Sequence, residues 1–378
     1  MRGSPRGPEL LRCAQCARDA RLAAWARVAT VRPVRAAIFD TASRRLDVQE
    51  VPDPEPGLGE VLVRVQACGI CLSDVHLIDG TLPSPLERVT PGHEPAGVIE
   101  RVGEGVPEHW AVGTRVLMAA GKPCGNCPNC LRGYPPSDCL APMVMGFAFD
   151  GAWAEFVVVP WQALVAVPDH VPIEQAAILA DAVSTPYAGL TDRAGLRRGE
   201  SVGIWGIGGL GVHAVMVARM VGASPIIALD PSEVARQRAL DRGADHALDP
   251  TADGVEQQVW ELTGGLGLDV AADVFGANRV LVQADACLGR FGRLLIVGLS
   301  AEPISLGPNL LFGATSHSLL GHLGYDKLHL DQLIGFVANG RLDVSGSISD
   351  VMPLEDVVRG VERLATKDGD PIRLVVAP

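Results

Sequence analysis

Nowhere in the 378 residues does a long apolar run go uninterrupted. The most apolar region, 202–221, is broken by a run of glycines and by His213 and Arg219, so it does not read as a membrane-spanning helix. Lys/Arg-rich tracts are also missing from the body of the chain, and 32 basic against 44 acidic residues leave a formal charge of −12. That balance argues against a nucleic-acid or anionic-membrane surface and favours a small neutral or cationic partner. Residues 1–30 hold six Arg against Glu9 and Asp19, with neither a long apolar core nor a small-residue cleavage site. No secretory signal is therefore expected, residues 1–33 read as a disordered extension or as the product of a start codon placed too early, and the expected setting is cytoplasmic. Internal repeats are absent. What is present is ordinary globular composition, 48% hydrophobic and 20% charged, on a chain long enough for two domains with their own cores.

From Arg35 to about Pro168 the chain is strand-like, with short runs such as "VLVRV" (61–65) and "FVVVP" (156–160) punctuated by Gly and Pro. Near Pro172 the pattern changes: "IEQAAILADAVSTPYAGL" carries helical periodicity. Strands then alternate with helices of about ten residues: 201–205, a helix 210–221, 226–230, a helix 232–242, 268–274, a helix 278–288, and 292–298. Such alternation predicts βαβ units and a parallel sheet covered on both faces. After about His322 two more amphipathic helices and the apolar strand "IRLVVAP" follow, the last able to rejoin the first module. The fold class is α/β, with expected domains at 34–182, 183–322 and a return at 323–378.

"SVGIWGIGGLGVHAVMVARM" is the first motif with chemical content. Gly206, Gly208, Gly209, Leu210 and Gly211 follow a strand and open a helix, and Asp230 ends the next strand nineteen residues after Gly211. Glycines let the turn tighten and let the backbone approach a pyrophosphate seated on the positive end of the helix, while Asp230 can accept from an adenosine ribose hydroxyl. Because that acid would repel a 2′-phosphate, and no Arg immediately follows it, NAD is expected over NADP.

Four of the nine cysteines, Cys124, Cys127, Cys130 and Cys139, fall within sixteen residues. In a large acidic chain without an export signal this clustering points to metal thiolates, not disulfides. An all-thiolate tetrahedral zinc leaves no open position, so such a metal would stabilise a loop and do no chemistry. A third set is scattered: Cys68 and Cys71 alone could be a redox pair, and His93 a satisfied loop histidine. Asp181 stands within a stretch of Ala, Ile, Leu and Val that reads as buried, where a carboxylate needs a partner.

Taken together, "GICLSD", "GHEPAGVIERVGEGV", the four-cysteine loop, "GAWAEFVVVP" and "GIGGLG" with its downstream Asp resemble the zinc-containing medium-chain alcohol dehydrogenases over roughly 34–378. The resemblance implies a GroES-like β-rich catalytic domain joined to a doubly wound Rossmann domain. It implies two zincs and NAD, with Cys71, His93 and Asp181 on the catalytic zinc and Cys124, Cys127, Cys130 and Cys139 on a structural one. By the same resemblance Ser73 receives the alcohol's proton and His76 stands at the far end of the relay, beyond the nicotinamide ribose. Asp74 and Glu94 are acidic groups beside the zinc, Asp74 supporting the ligand histidine. Thr185, Val297 and Leu299 contact the nicotinamide, and Arg373 the pyrophosphate; Cys68 is left as a buried thiol.

Three departures stand out. The spacer between Cys130 and Cys139 is eight residues where seven is usual, Leu72 replaces a basic residue that some members use on the pyrophosphate, and Asp181 replaces the more frequent Cys. The last resembles a bacterial branch that includes secondary-alcohol dehydrogenases. Three protein ligands leave a fourth zinc position for a substrate oxygen. Ala119 and Ala120, where relatives often carry a bulkier pocket residue, suggest room for a secondary or cyclic alcohol. A zinc-free NADPH quinone or enoyl reductase would lack the Cys71/His93 pair and the acid at 230, and a catalytically silent NAD sensor would have lost Ser73 or His76. A homodimer or homotetramer is expected, with "GRLLIVG" and "ISLGPNLLF" as the segments through which nucleotide domains pair edge to edge.

Overall fold

A computed structural model describes residues 33–134 and 138–378. The expectation for the extension at 1–33 lies outside the described residues, Pro33 apart. Two sheet systems stand where the sequence changes character. In the first, a seven-stranded sheet runs Leu164–Ala166, Arg115–Met118, Glu94–Val102, Glu60–Ile70, Arg373–Ala377, Ile348–Pro353, with Phe156–Pro160 also paired to Glu60–Ile70. A three-stranded sheet, Arg45–Val51, Val34–Asp40 and Arg88–Val89, lies beside it. The C-terminal strand does rejoin this module: Leu374 pairs with Ile70 and Val376 with Cys68, antiparallel.

The second system is a six-stranded, wholly parallel sheet in the order His246–Leu248, Ile226–Leu229, Val202–Trp205, Leu268–Asp273, Leu288–Ile296, Ser318–Gly321. Val202–Trp205 and Ile226–Leu229 are buried along their whole length, as parallel strands covered by helices on both faces must be. Strand order reverses between Val202–Trp205 and Leu268–Asp273, and ligands of such sheets sit beyond the carboxyl ends of the strands at that reversal. Gly206 and the helix Gly209–Val221 begin there.

Two expectations are corrected. "GRLLIVG" belongs to Leu288–Ile296, which is hydrogen-bonded to a strand on each side and so has no free edge. "ISLGPNLLF" runs into a helix, Asn309–Thr315, and the exposed edge is the following Ser318–Gly321. The stretch from Pro172 is also not one regular helix. α-Helical Ile173–Ile178 passes into a π-helical turn, Leu179–Val183, then α-helical Ser184–Ala188 and a second π-helical turn, Gly189–Arg193. This segment packs among both systems, its Ala176, Ile178 and Val183 sharing one core with Ala67 and Ala96 of the first sheet and Val202 and Ile204 of the second. Asp181 therefore sits at the seam. Among the described residues no helix is long and apolar enough to cross a membrane.

Candidate active site

Cys71 ends the strand Glu60–Ile70 and caps the helix Leu72–Asp79. The cap is closed by Asp74, whose Oδ2 accepts from the Cys71 amide at 2.9 Å. The same carboxylate turns outward through Oδ1, 3.1 Å from His93 Nδ1. Asp74 is fully buried, and this contact leaves His93 Nε2 facing Cys71 and Asp181. A single acid thus fixes both the helix start and the tautomer of the imidazole.

Across the seam, Asp181 Oδ2 lies 3.2 Å from Cys71 Sγ and 3.6 Å from His93 Nε2. Donors on a tetrahedral zinc with bonds of about 2.0–2.3 Å stand about 3.3–3.7 Å apart, so both Asp181 separations match such an ion, and the ligand atoms of all three residues lie within 4.8 Å of one another. Glu94 completes the group: one ligand atom from each of Cys71, His93, Glu94 and Asp181 lies within 4.8 Å of the others. Both Glu94 carboxylate oxygens are buried without a hydrogen-bond partner among the described residues, although Oε1 is 2.9 Å from Arg373 Nη2. A thiol, an imidazole and two carboxylates turned toward one another in a buried place are the donor types of a metal site.

Burial and mutual charge set the titration of these groups. Burial pushes the Glu94 carboxyl up to about 8 against the pull of Arg373. For Asp181 burial works the same way, yet His93, Arg373 and Thr185 outweigh it and hold the carboxyl well below the usual range. Burial opposes charge on His93, but Asp74 and Asp181 prevail and raise it well above an ordinary imidazole. Burial, and then the Asp181 charge, push the Cys71 thiol up. Ser73 Oγ is within hydrogen-bond reach of Cys71 Sγ (3.1 Å) and His93 Nε2 (3.3 Å). His76 lies one turn along the same helix, with Nδ1 3.5 Å from Asp79 Oδ2.

The glycine loop meets the cluster through Arg373. Besides its contact with Glu94, Arg373 Nη2 is 3.8 Å from Asp181 Oδ2. Its Nη1 lies so close to Gly209 that a Cβ there would be 2.9 Å away. The loop itself needs two of its glycines for steric reasons: Gly206 has φ +92°, and a Cβ on Gly211 would fall 1.8 Å from the Gly206 carbonyl oxygen. Gly208 and Leu210 lie between them at the mouth of the helix. Asp230 closes the loop, Oδ2 accepting from Ile207 N and Oδ1 from Ser232 N, both at 2.8 Å. Thr185 and Val297 are buried nearby, whereas Leu299 is 43% exposed.

At the four-cysteine loop the longer spacer does not keep the thiols apart. The four sulfurs come together, with Cys127 Sγ 3.4 Å and Cys124 Sγ 3.9 Å from Cys130 Sγ, and Cys139 Sγ accepting from Cys124 N at 3.2 Å. Backbone donation from Cys130 lowers Cys127 to about 6, and donation from Cys124 lowers Cys139, while burial raises Cys130 to about 12.

Sequence reasoning missed three features. Tyr325 Oη accepts from the Ala120 amide at 3.2 Å, which sets a phenol beside one of the two small alanines. The Phe147 ring stands 5.6 Å from the His93 ring. Thr185 Oγ1, expected at the nicotinamide, donates to Asp181 Oδ1 at 2.6 Å. Only the last had a signal, the i,i+4 spacing of Asp181 and Thr185 in a helical stretch.

Comparison with known proteins agrees with this architecture. The alcohol dehydrogenase GroES-like domain model matches residues 57–169, and the zinc-binding dehydrogenase model matches 209–339. An alcohol dehydrogenase of Geobacillus stearothermophilus is 34% identical over 331 residues, covering 86% of this chain and 94% of the relative. An L-threonine 3-dehydrogenase of Pyrococcus furiosus is 35% identical over 272 residues, 70% of this chain and 76% of the relative. Among solved structures, alcohol dehydrogenase TADH from Thermus sp. ATN1 superposes with a TM-score of 0.83 at 30% identity, over 91% of this chain and 99% of that one. With these matches on a chain that joins a GroES-like module to a parallel nucleotide-binding sheet, the protein belongs to the zinc-type medium-chain dehydrogenase/reductase family, as an oxidoreductase of the alcohol dehydrogenase kind.

Proposed function

We propose that the protein is a zinc- and NAD-dependent alcohol dehydrogenase that interconverts a secondary or cyclic alcohol with its ketone. The observation that carries this is the meeting of Cys71, His93 and Asp181 at the seam, beside the glycine loop. Those three residues would hold the catalytic zinc, and the four-cysteine loop a structural one. When bound, the catalytic ion supplies Lewis-acid polarisation of the substrate oxygen, which eases its deprotonation near neutral pH. NAD, when bound, supplies the hydride acceptor.

The chain's own groups do the rest. Asp74 holds the His93 ring, and Ser73 Oγ, at the edge of the cluster, receives the substrate hydroxyl proton. His76, on the same helical face and next to the half-exposed Asp79, is the outward group of that relay. Gly206, Gly208, Gly209, Leu210 and Gly211 offer backbone and helix dipole to the pyrophosphate, and Asp230 offers lone pairs to the ribose. Thr185, Val297 and Leu299 flank the nicotinamide, and Arg373 adds positive charge at the loop. Ala119 and Ala120 keep one wall of the substrate space small, with Tyr325 and Phe147 as its aromatic boundaries. Pairing of two copies through the open edge at Ser318–Gly321 fits a homodimer or homotetramer.

Metal analysis together with NAD- and NADP-linked turnover over primary, secondary and cyclic alcohols tests this. The panel should include a β-hydroxy amino acid, given the threonine dehydrogenase relatives. Zinc at both sites and NAD reduction with a secondary or cyclic alcohol are expected. A strong preference for ethanol, or turnover with the metal removed, overturns the proposal.

A further inference from the structure

Asp181 poses a problem that a cysteine at this position would not. A carboxylate has two oxygens, so a ligand of this kind can bind through one, through both, or swing away to a neighbouring cation. Arg373 Nη2 is such a cation, 3.8 Å from Asp181 Oδ2. Thr185 removes the ambiguity. Its hydroxyl donates to Asp181 Oδ1 at 2.6 Å, which leaves Oδ2 pointed at Cys71 Sγ and His93 Nε2.

The helical stretch sets the two side chains four residues apart, on one face. In an ordinary helix a threonine hydroxyl returns to the carbonyl one turn back. Here the π-helical turn Leu179–Val183 precedes Thr185, and the Ser184 amide bonds to Leu179 O, five residues back. The Thr185 hydroxyl goes to the Asp181 carboxylate instead of to a carbonyl. Thr185 is itself held: it is buried, and its carbonyl oxygen is 3.0 Å from His322 Nε2, on the residue following the edge strand. His322 in turn donates its amide to Ile296 O at 2.9 Å, so the chain of contacts ends in the parallel sheet.

We infer that Thr185 is a positioning residue that fixes Asp181 as a one-oxygen metal ligand, an inference that rests on the reading of Asp181 as a ligand. Its hydroxyl proton is committed to the carboxylate, so its part at the nicotinamide is limited to van der Waals contact and the remaining lone pair.

The test compares wild type, Thr185→Val, Thr185→Ser and Asp181→Ala without NAD. Zinc affinity is read by chelator competition. Coordination is read from the visible absorption of the cobalt(II)-loaded proteins as differences from wild type, in which the four-cysteine contribution cancels. Val keeps the shape of Thr and removes only the donor. Thr185→Val should bind the catalytic-site metal about 10- to 100-fold more weakly, the range for loss of a group that orients a ligand. Its cobalt bands should lose intensity as the freed carboxylate adds its second oxygen. Thr185→Ser, which keeps the donor, should restore both. Wild-type affinity and spectrum in Thr185→Val, with Asp181→Ala stripped of the catalytic-site metal, overturns the inference and leaves Asp181 a ligand. Retention of that metal in Asp181→Ala overturns the reading on which it stands.

Discussion

At the residue scale, Asp74 carries more of the site than its lack of substrate contact suggests. It caps the helix that presents Cys71, accepts from Gly92 N at 3.4 Å, and holds His93 through Nδ1. Asp74→Asn keeps an acceptor oxygen but removes the charge that keeps Nδ1 protonated. The expected outcome is catalytic-zinc binding weakened by about 10- to 100-fold, seen by chelator competition, with the four-cysteine metal untouched. Asp181→Cys separates ligand number from ligand type. The softer thiolate should retain the metal, since the formal charge of the ligand set is unchanged, while its longer bond and the loss of the Thr185 contact alter the kcat/KM ratios across the alcohol panel. Asp181→Ala should keep only the four-cysteine metal and lose turnover.

Elements differ in what holds them. The helix Gly209–Val221 is anchored by packing, with eight of its residues buried, and its close start depends on Gly211. Gly211→Ala would place a methyl carbon 1.8 Å from the Gly206 carbonyl oxygen. Loop and helix must then part, at a cost of about 1–3 kcal/mol in stability. Calorimetry should show a lowered Tm and cofactor titration a weaker NAD complex, with zinc content unchanged. The short helix Pro128–Leu131 has no buried residue, so no apolar packing of its own holds it. Chelation of the four-cysteine metal should therefore expose residues 124–139 to protease while the two sheets stay resistant. The same contrast explains what was legible in the sequence. The glycine loop, Asp230 at the end of its strand and the alternating strands show themselves locally, through backbone geometry and periodicity, and they stand where the chain pattern put them. The π-helical turn at Asp181 leaves no mark on composition, because one extra residue per turn barely alters an apolar pattern. Tyr325 reaches Ala120 across 205 positions, a distance no local signal spans. The free sheet edge was misassigned because an interior parallel strand and an edge strand are equally apolar to the eye; hydrogen bonding on both sides, not hydropathy, distinguishes them.

The whole molecule is held at its seam by polar ties as well as by the shared core. Arg238 joins Asp370, just before the returning strand, to the Ile207 carbonyl in the glycine loop. His213, fully buried on the helix Gly209–Val221, sits 2.6 Å from Gly209 O through Nδ1 and 2.9 Å from Ser347 Oγ of the return through Nε2. The carbonyl can only accept, so Nδ1 carries the proton and Nε2 accepts from the serine hydroxyl. A second proton would have to enter a buried site that also faces Arg373 and Arg242; burial, and then the Arg373 charge, bring the imidazole down to about 3. In the unfolded chain it titrates near 6.5. Between these values the unfolded state binds a proton that the folded state refuses, so stability is lost as pH falls from about 6.5 toward 3, by up to about 1.4 kcal/mol per pH unit from this one group. Glutamine at 213 can donate to the same carbonyl and cannot titrate. His213→Gln should cost about 1 kcal/mol at pH 7.5, from imperfect hydrogen bonding. By pH 5 the deficit should vanish or reverse, because wild type alone has lost about 2 kcal/mol to protonation. Denaturant unfolding of the two proteins at both pH values reads this directly, since acid release of metal is common to both and cancels in the difference. An equal deficit at pH 7.5 and pH 5 would mean that His213 admits its proton without opening the seam.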